Sequence, residues 1–249
     1  LMWANYLGRD APALSSVVVQ GTIGSIEEFE KAIPTVREIY EEEFEEWGVS
    51  SVGYVAIPML SVSVFCRDGL VRSIEALKSK KLRVWARDQV ETFTGLGVAA
   101  QIIPQAEMYV ALKSGVVDCA LYPALYAHTV SLQEVAPYAS FLYPMASGPY
   151  VIGVATDRWE KTEDNVKLAI ANAAEALWNR TNHYEDDFER ELAARKSLVE
   201  GGVTWGEDFS QEDRNLFVGS VTKIWKTLAD EAGGNAPAYR QRVLDALGR

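Results

Sequence analysis

The chain has 249 residues, 48% hydrophobic and 24% charged, a composition ordinary for a globular protein of one or two domains with a sizeable core. Its net charge of −11 argues against a nucleic-acid partner, whose backbone is met by clustered Lys and Arg, but leaves room for a local basic pocket that takes a small anion. No apolar run is long enough to span a membrane, and the opening LMWANYLGRD has neither a basic n-region nor an apolar h-region of a secretory signal.

Residues 2–6 read as the end of a helix or a loop, and 14–19 as a strand. Ser25, with Glu27 and Glu28 behind it, opens a long helix from 26 to about 47, because a hydroxyl cap and first-turn acids suit the free N–H groups there. Phe29, Ile33, Val36, Tyr40 and Phe44 recur every three or four positions along it. Pro34 is expected to kink or split this helix, and Gly48 to stop it. A strand follows at 49–57, ended or bent by Pro58. In 60–66 apolar residues alternate with serines, the period of a half-buried strand. Ser73 then caps a short helix.

Residues 81–123 carry the clearest pattern, KLRVWARDQVETFTGLGVAAQIIPQAEMYVALKSGVVDCALYP. Apolar runs at 82–85, 98–104 and 116–122 enclose two helical segments, one ending at Gly95 or Gly97 and one at Gly115. Strand, helix, strand, helix, strand is parallel α/β construction. Ligands of such sheets sit beyond the carboxyl ends of the strands, which singles out Arg83, Trp85, Arg87 and Tyr122. Residues 124–132 are helical or irregular, 138–143 form an aromatic-rich strand, and YVIGVAT at 150–156 reads as a strand buried on both faces. From Trp159 onward the chain is helical. One amphipathic helix covers 164–181, with Val166, Ile170, Ala174 and Trp178 on its inner face. Others cover 186–200, 211–229 behind Ser210, and 237–247, with a very short strand at 203–205.

Arg83 lies inside an apolar strand, where a guanidinium is costly unless paired. Its planar fork suits a carboxylate, either of a ligand or of the protein itself. Trp85 is then an apolar wall or core, Arg87 a second-sphere group or surface, and Tyr122 a hydroxyl at a strand end. Glu107 and Asp118 are a candidate carboxylate pair for acid–base chemistry, each equally explained by capping or turn hydrogen bonds. No dinucleotide fingerprint, phosphate loop, HExxH or GxSxG elbow occurs. Two histidines are too few and too distant for a histidine-rich metal site. Cys66 and Cys119 either pair or stand as two buried thiols.

With those residues in view, the sequence resembles the solute-binding proteins of TRAP transporters, of the DctP type. Lys81-Leu82-Arg83-Val84 is similar to the family's G-L-K-I-R-V strand, and residues 71–78, VRSIEALK, to V-R-T-P-E-D-L-K. Leu96-Gly97, Pro104, Glu107, Tyr109, Ala111-Leu112 and Gly115-Val116-Val117-Asp118 are similar in spacing to L-G…P-x-x-E-x-Y-x-A-L-x-x-G-x-V-D. The resemblance implies two α/β lobes with hinge-crossing strands and long C-terminal helices: residues 1–60 in lobe one, 61–150 in lobe two, 151–249 returning to lobe one. It also implies a periplasmic receptor, not an enzyme, that closes on a small organic acid and hands it to TRAP permease membrane subunits. The family's arginine role falls on Arg83. An aromatic at Tyr122 is similar to the branch that binds 2-oxo acids. Arg67 is implied as a second anion contact, and Gln105 stands where the family has phenylalanine. Trp85 replaces the usual proline. No cofactor is implied, although a metal ion bridges acid and protein in some relatives. Relatives carry a further segment before the point where this chain starts, and the expectation is that this segment, with its signal, has been removed or is missing. Rival readings are an α/β enzyme using Glu107 or Asp118, and a ligand sensor without a transport role.

Overall fold

The computed structural model describes residues 1–57, 60–146, 148–184 and 186–249, Leu60 by its backbone alone. Pro58, expected to end the second long element, lies outside the described residues. A short α1 (Pro12–Ser15) precedes the long α2 (Ile26–Glu46), whose Ser25 hydroxyl accepts the Glu28 N–H while the Glu28 carboxylate accepts the Gly24 N–H. α2 runs through Pro34 without splitting. Its buried stripe, Phe29, Ile33, Val36, Ile39, Tyr40 and Phe44, spans both sides of the proline. At about 1.5–3 kcal/mol per buried side chain, it outweighs the roughly 3 kcal/mol an interior proline costs.

Next come β1 (Val49–Val55) and β2 (Leu60–Cys66), α3 (Ile74–Leu77), β3 (Lys81–Val84), α4 (Arg87–Gly95), β4 (Ala99–Ile102), α5 (Gln105–Ser114) and β5 (Cys119–Pro123). Then follow α6 (Ala124–Ala127), β6 (Tyr138–Met145), β7 (Tyr150–Ala155), α7 (Thr156–Glu160), α8 (Asp164–Thr181), α9 (Asp187–Glu200), β8 (Thr204–Trp205), α10 (Gln211–Ala232) and α11 (Ala236–Leu247). Among the described residues the strands form a six-stranded sheet, in order β4-β3-β5-β2-β6-β8, and a two-stranded sheet of β1 and β7. β4, β3 and β5 run parallel, joined by α4 and α5, as the repeating pattern requires. β2 lies antiparallel between β5 and β6, and β8 extends the sheet beside β6. This is an α/β architecture of two sheets with long C-terminal helices.

Four local readings are corrected. Residues 14–19 are not a strand. Leu14 ends up in α1, and Val17, Val18 and Val19 are buried in irregular chain. A short apolar run specifies burial, not pairing. β2 is covered on both faces, since Ser63 as well as Val62 and Val64 is buried in the centre of the sheet. β7, expected to be buried on both faces, pairs with β1 and the single residue Met2, and only Val151 of its residues is fully buried. In α8 the buried residue is Ala174, seated on Gly53 of β1, where an added Cβ would come within 2.4 Å of it, and Trp178 packs half-buried against the main core. Val166 is exposed. The two cysteines face each other in the β2–β5 register and form a disulfide.

Candidate functional site

Side chains alternate along a strand. On β3, Leu82 and Val84 enter the main hydrophobic core, so Arg83 is turned to the opposite face. There it is 2% exposed. Its Nε donates to the Ile103 carbonyl at 2.8 Å and its Nη1 to the Leu121 carbonyl at 3.4 Å. No ion pair to a carboxylate is made by Arg83 among the described residues, so the structural ion-pair reading fails there. A guanidinium carries five N–H donors, and two carbonyls leave the Nη2 edge unpaired by those bonds. Burial pushes the Arg83 pKa down to about 10, with the Tyr122 and Tyr6 hydroxyls opposing the shift; the group remains a cation at neutral pH.

Beside it lies a cavity of about 460 Å³, within the range of small-molecule sites. The parallel strands deliver its residues at their carboxyl ends: Arg83 and Trp85 from β3, Ile102 and Gln105 from β4 and the start of α5, Tyr122 from β5. The opposite wall comes from the smaller sheet and the N-terminal segment. Tyr150 opens β7, Ile57 follows β1, and Trp3 and Tyr6 are brought in by the pairing of Met2 with Val151. The guanidinium lies 5.8 Å from the Trp85 ring centre and 5.9 Å from that of Tyr122, close enough for cation–π attraction. Burial raises the phenol pKa values of Tyr122, Tyr126 and Tyr150, so these rings stay neutral.

The structure brings Arg83, Trp85, Tyr122 and Gln105 together and leaves Arg87 and Arg67 out. Arg87 begins α4 and is held by Glu91 at 2.5 Å and Glu231 at 2.8 Å. One residue past Ala86, the helix has turned it away from the cavity, into a separate polar depression shared with Arg9 and Asp88. Arg67 lies beyond the far end of β2. Tyr122 pairs with Ser63, so Arg67 is roughly 13 Å further along the strand direction, its guanidinium against Gly115. Glu107 is exposed in the first turn of α5, and Asp118 accepts the Lys81 N–H at 2.8 Å. Neither lines the cavity. Among the described residues no three His, Cys, Asp or Glu side chains cluster as metal ligands.

Sequence reading missed Trp3, Tyr6, Tyr126 and Tyr150. The available signal was aromatic residues at element ends, Tyr150 opening a strand and Tyr126 one turn after Tyr122. It also missed a polar chain behind Trp85. The Gln89 side-chain oxygen accepts the Trp85 N–H at 3.0 Å, the Gln89 amide donates to the Gln20 side-chain oxygen at 2.5 Å, and the Gln20 N–H donates to Asp88 at 3.2 Å. This chain fixes the backbone that carries the cavity's Trp85 wall.

Known proteins share this architecture. A periplasmic solute-binding protein of a TRAP transporter from Desulfovibrio salexigens, with bound orotic acid, superposes with a TM-score of 0.85 at 17% identity, covering 99% of this chain and 78% of that one. The periplasmic ectoine-binding protein of a Halomonas elongata TRAP transporter gives 0.84 at 16%, covering 99% and 80%. A Rhodoferax ferrireducens TRAP solute-binding protein with bound malonate gives 0.82 at 16%, covering 100% and 78%. No curated protein matches the sequence. The family model DctP, bacterial extracellular solute-binding protein family 7, matches residues 27–232. The chain therefore belongs to the DctP family of extracellular solute-binding proteins.

Proposed function

We propose that this protein captures a small organic acid in the periplasm and delivers it to the membrane subunits of a TRAP permease. The observation that carries the reading is Arg83, a buried cation at a cavity wall with unused donors and no protein carboxylate paired with it among the described residues. A buried charge without a counter-charge is destabilising, and a ligand carboxylate supplies that charge. Relatives with bound malonate, orotic acid and galacturonate support the choice of an acid. Trp85, Tyr122 and Gln105 shape the space around it. The donors left on Arg83 also suit a 2-oxo acid, whose keto oxygen lies beside the carboxylate and can take a second N–H.

The cavity draws on both sheets, so closing the two against each other expels water and strengthens the ion pair. In this reading, residues 1–60 and most of 151–249 form one lobe and 61–150 the other. The protein acts as a receptor and not as an enzyme, because Glu107 and Asp118 lie outside the cavity. Arg83 supplies the positive charge, so acid binding needs no metal.

Arg83→Ala tests this by calorimetry against a panel of organic acids. Losing one partner of a buried charge pair costs about 2–5 kcal/mol, so affinity falls by about 30-fold or more, while EDTA leaves the parent's affinity unchanged. Normal binding by Arg83→Ala would refute the site.

A further inference from the structure

The lining of the cavity is lopsided. Trp3, Tyr6, Trp85, Tyr122, Tyr126 and Tyr150 place six aromatic side chains around it, from four separated stretches of chain. Arg83 is the one charged residue among the described lining residues, and Gln105 the one amide. From this composition we propose that the acid carries a single carboxylate on an aromatic or similarly flat apolar body. The inference rests on the receptor reading above and narrows its ligand.

Three physical arguments converge. First, one cation neutralises one carboxylate. A second carboxylate closed into this space would meet no cation among the described lining residues and would lose its hydration uncompensated. Second, no carboxylate lines the cavity among the described residues, so a positively charged group on the ligand would meet ring faces alone, two of which the Arg83 guanidinium already lies against. Third, a sugar acid carries a hydroxyl on almost every carbon. Each needs a hydrogen-bond partner on leaving water, and beside Arg83 the lining offers four phenol hydroxyls, two indole N–H groups and the Gln105 amide on an otherwise apolar surface. Aromatic walls instead reward a flat apolar body through edge and face contacts.

The rings are also mutually arranged. Trp3 meets Tyr6 edge-on with centroids 4.5 Å apart and lies tilted against Tyr150 at 6.2 Å. Trp85 and Tyr122 both lie within 6 Å of the guanidinium carbon of Arg83. A carboxylate held at Arg83 therefore leaves its body between these two sets of rings. For a two- or three-carbon diacid such as malonate, most of a cavity of about 460 Å³ would stay unfilled.

The test is calorimetric titration of the full chain at neutral pH with phenylacetate, phenylpyruvate, malonate and galacturonate. Phenylacetate or phenylpyruvate is expected to bind at least ten-fold more tightly than malonate and galacturonate, and to quench tryptophan fluorescence as a ring settles against Trp85 and Trp3. Tyr150→Ala, and independently Tyr6→Ala at an exposed position outside the core, should each weaken the aromatic acids about five-fold or more. If malonate or galacturonate binds as tightly as the aromatic acids, and Arg83→Ala abolishes that binding, the aromatic ligand class is overturned and the carboxylate receptor stands. Binding of none of the four overturns the class outright. Binding of any of them that survives Arg83→Ala overturns the receptor site as well.

Discussion

Arg83 is held by two carbonyls, flanked by two rings and given no carboxylate among the described residues. Backbone acceptors that fix a side chain in advance are the preorganisation that the proposed anion clamp needs. Asp88 illustrates the opposite case. It is buried at the start of α4, and burial, aided by neighbouring Glu91 against three backbone hydrogen bonds, raises its pKa from 3.8 to about 6. Arg9, Arg87 and Glu231 share the depression beside it. The folded protein therefore holds this proton more tightly than the unfolded chain. The penalty of a buried carboxylate is absent below the unfolded pKa and fully present once the pH has risen through about 6. Asp88 alone thus makes the protein less stable at pH 7 than at pH 4 by about 2 kcal/mol. Asp88→Asn keeps an acceptor for the Gln20 N–H and should flatten this pH dependence in denaturant unfolding curves. An unchanged slope would show that Asp88 does not titrate in this range. The charge pattern of residues 81–84 made Arg83 legible in the sequence. Asp88 and Gln89 were not, because their shared partner Gln20 is brought to them only by the packing of α4 on the N-terminal chain.

At the scale of elements, helices were the most legible features. Ser25, Ser73 and Ser210 each cap the helix they precede, accepting N–H groups three residues on. Those signals are local, so sequence carries them. The burial of β2 and β7 was misread because it depends on neighbours far along the chain. Alternating serines predict one wet face only if nothing packs there, and β2 sits between β5 and β6. The pairing of Cys66 with Cys119 was equally open until register placed them opposite each other. Their separation of 53 residues closes a long loop. A disulfide of this kind typically contributes about 2–4 kcal/mol by restricting the unfolded chain. Reduction should lower the denaturation midpoint accordingly, without removing acid binding, since the pair lies at the opposite end of β5 from Tyr122. A midpoint unchanged by complete reduction would contradict this.

For the whole molecule, the α/β class and the parallel arrangement of β4, β3 and β5 could be read from the period of residues 81–123. Half of the cavity's lining could be read with them, because carboxyl ends of parallel strands are predictable places. The other wall could not. Tyr150, Trp3 and Tyr6 reach the cavity through β7, the residue pairing of Met2 with Val151, and the way the smaller sheet faces the larger one. Arg67 and Arg87 lie outside this cavity for the same reason: closeness along the chain to Arg83 or to a matching motif does not set direction. A cavity built from two sheets is also the geometry in which ligand binding shifts a closing equilibrium, since the ligand touches both walls only when they approach.

The measurement that tests the account most directly is a crystal structure of the full chain with its acid bound. The account predicts carboxylate oxygens within hydrogen-bonding distance of the Arg83 guanidinium, with the body of the ligand between Trp85, Tyr122 and Tyr150. An acid bound away from Arg83, or Arg83 paired instead with a carboxylate of the protein, would contradict it.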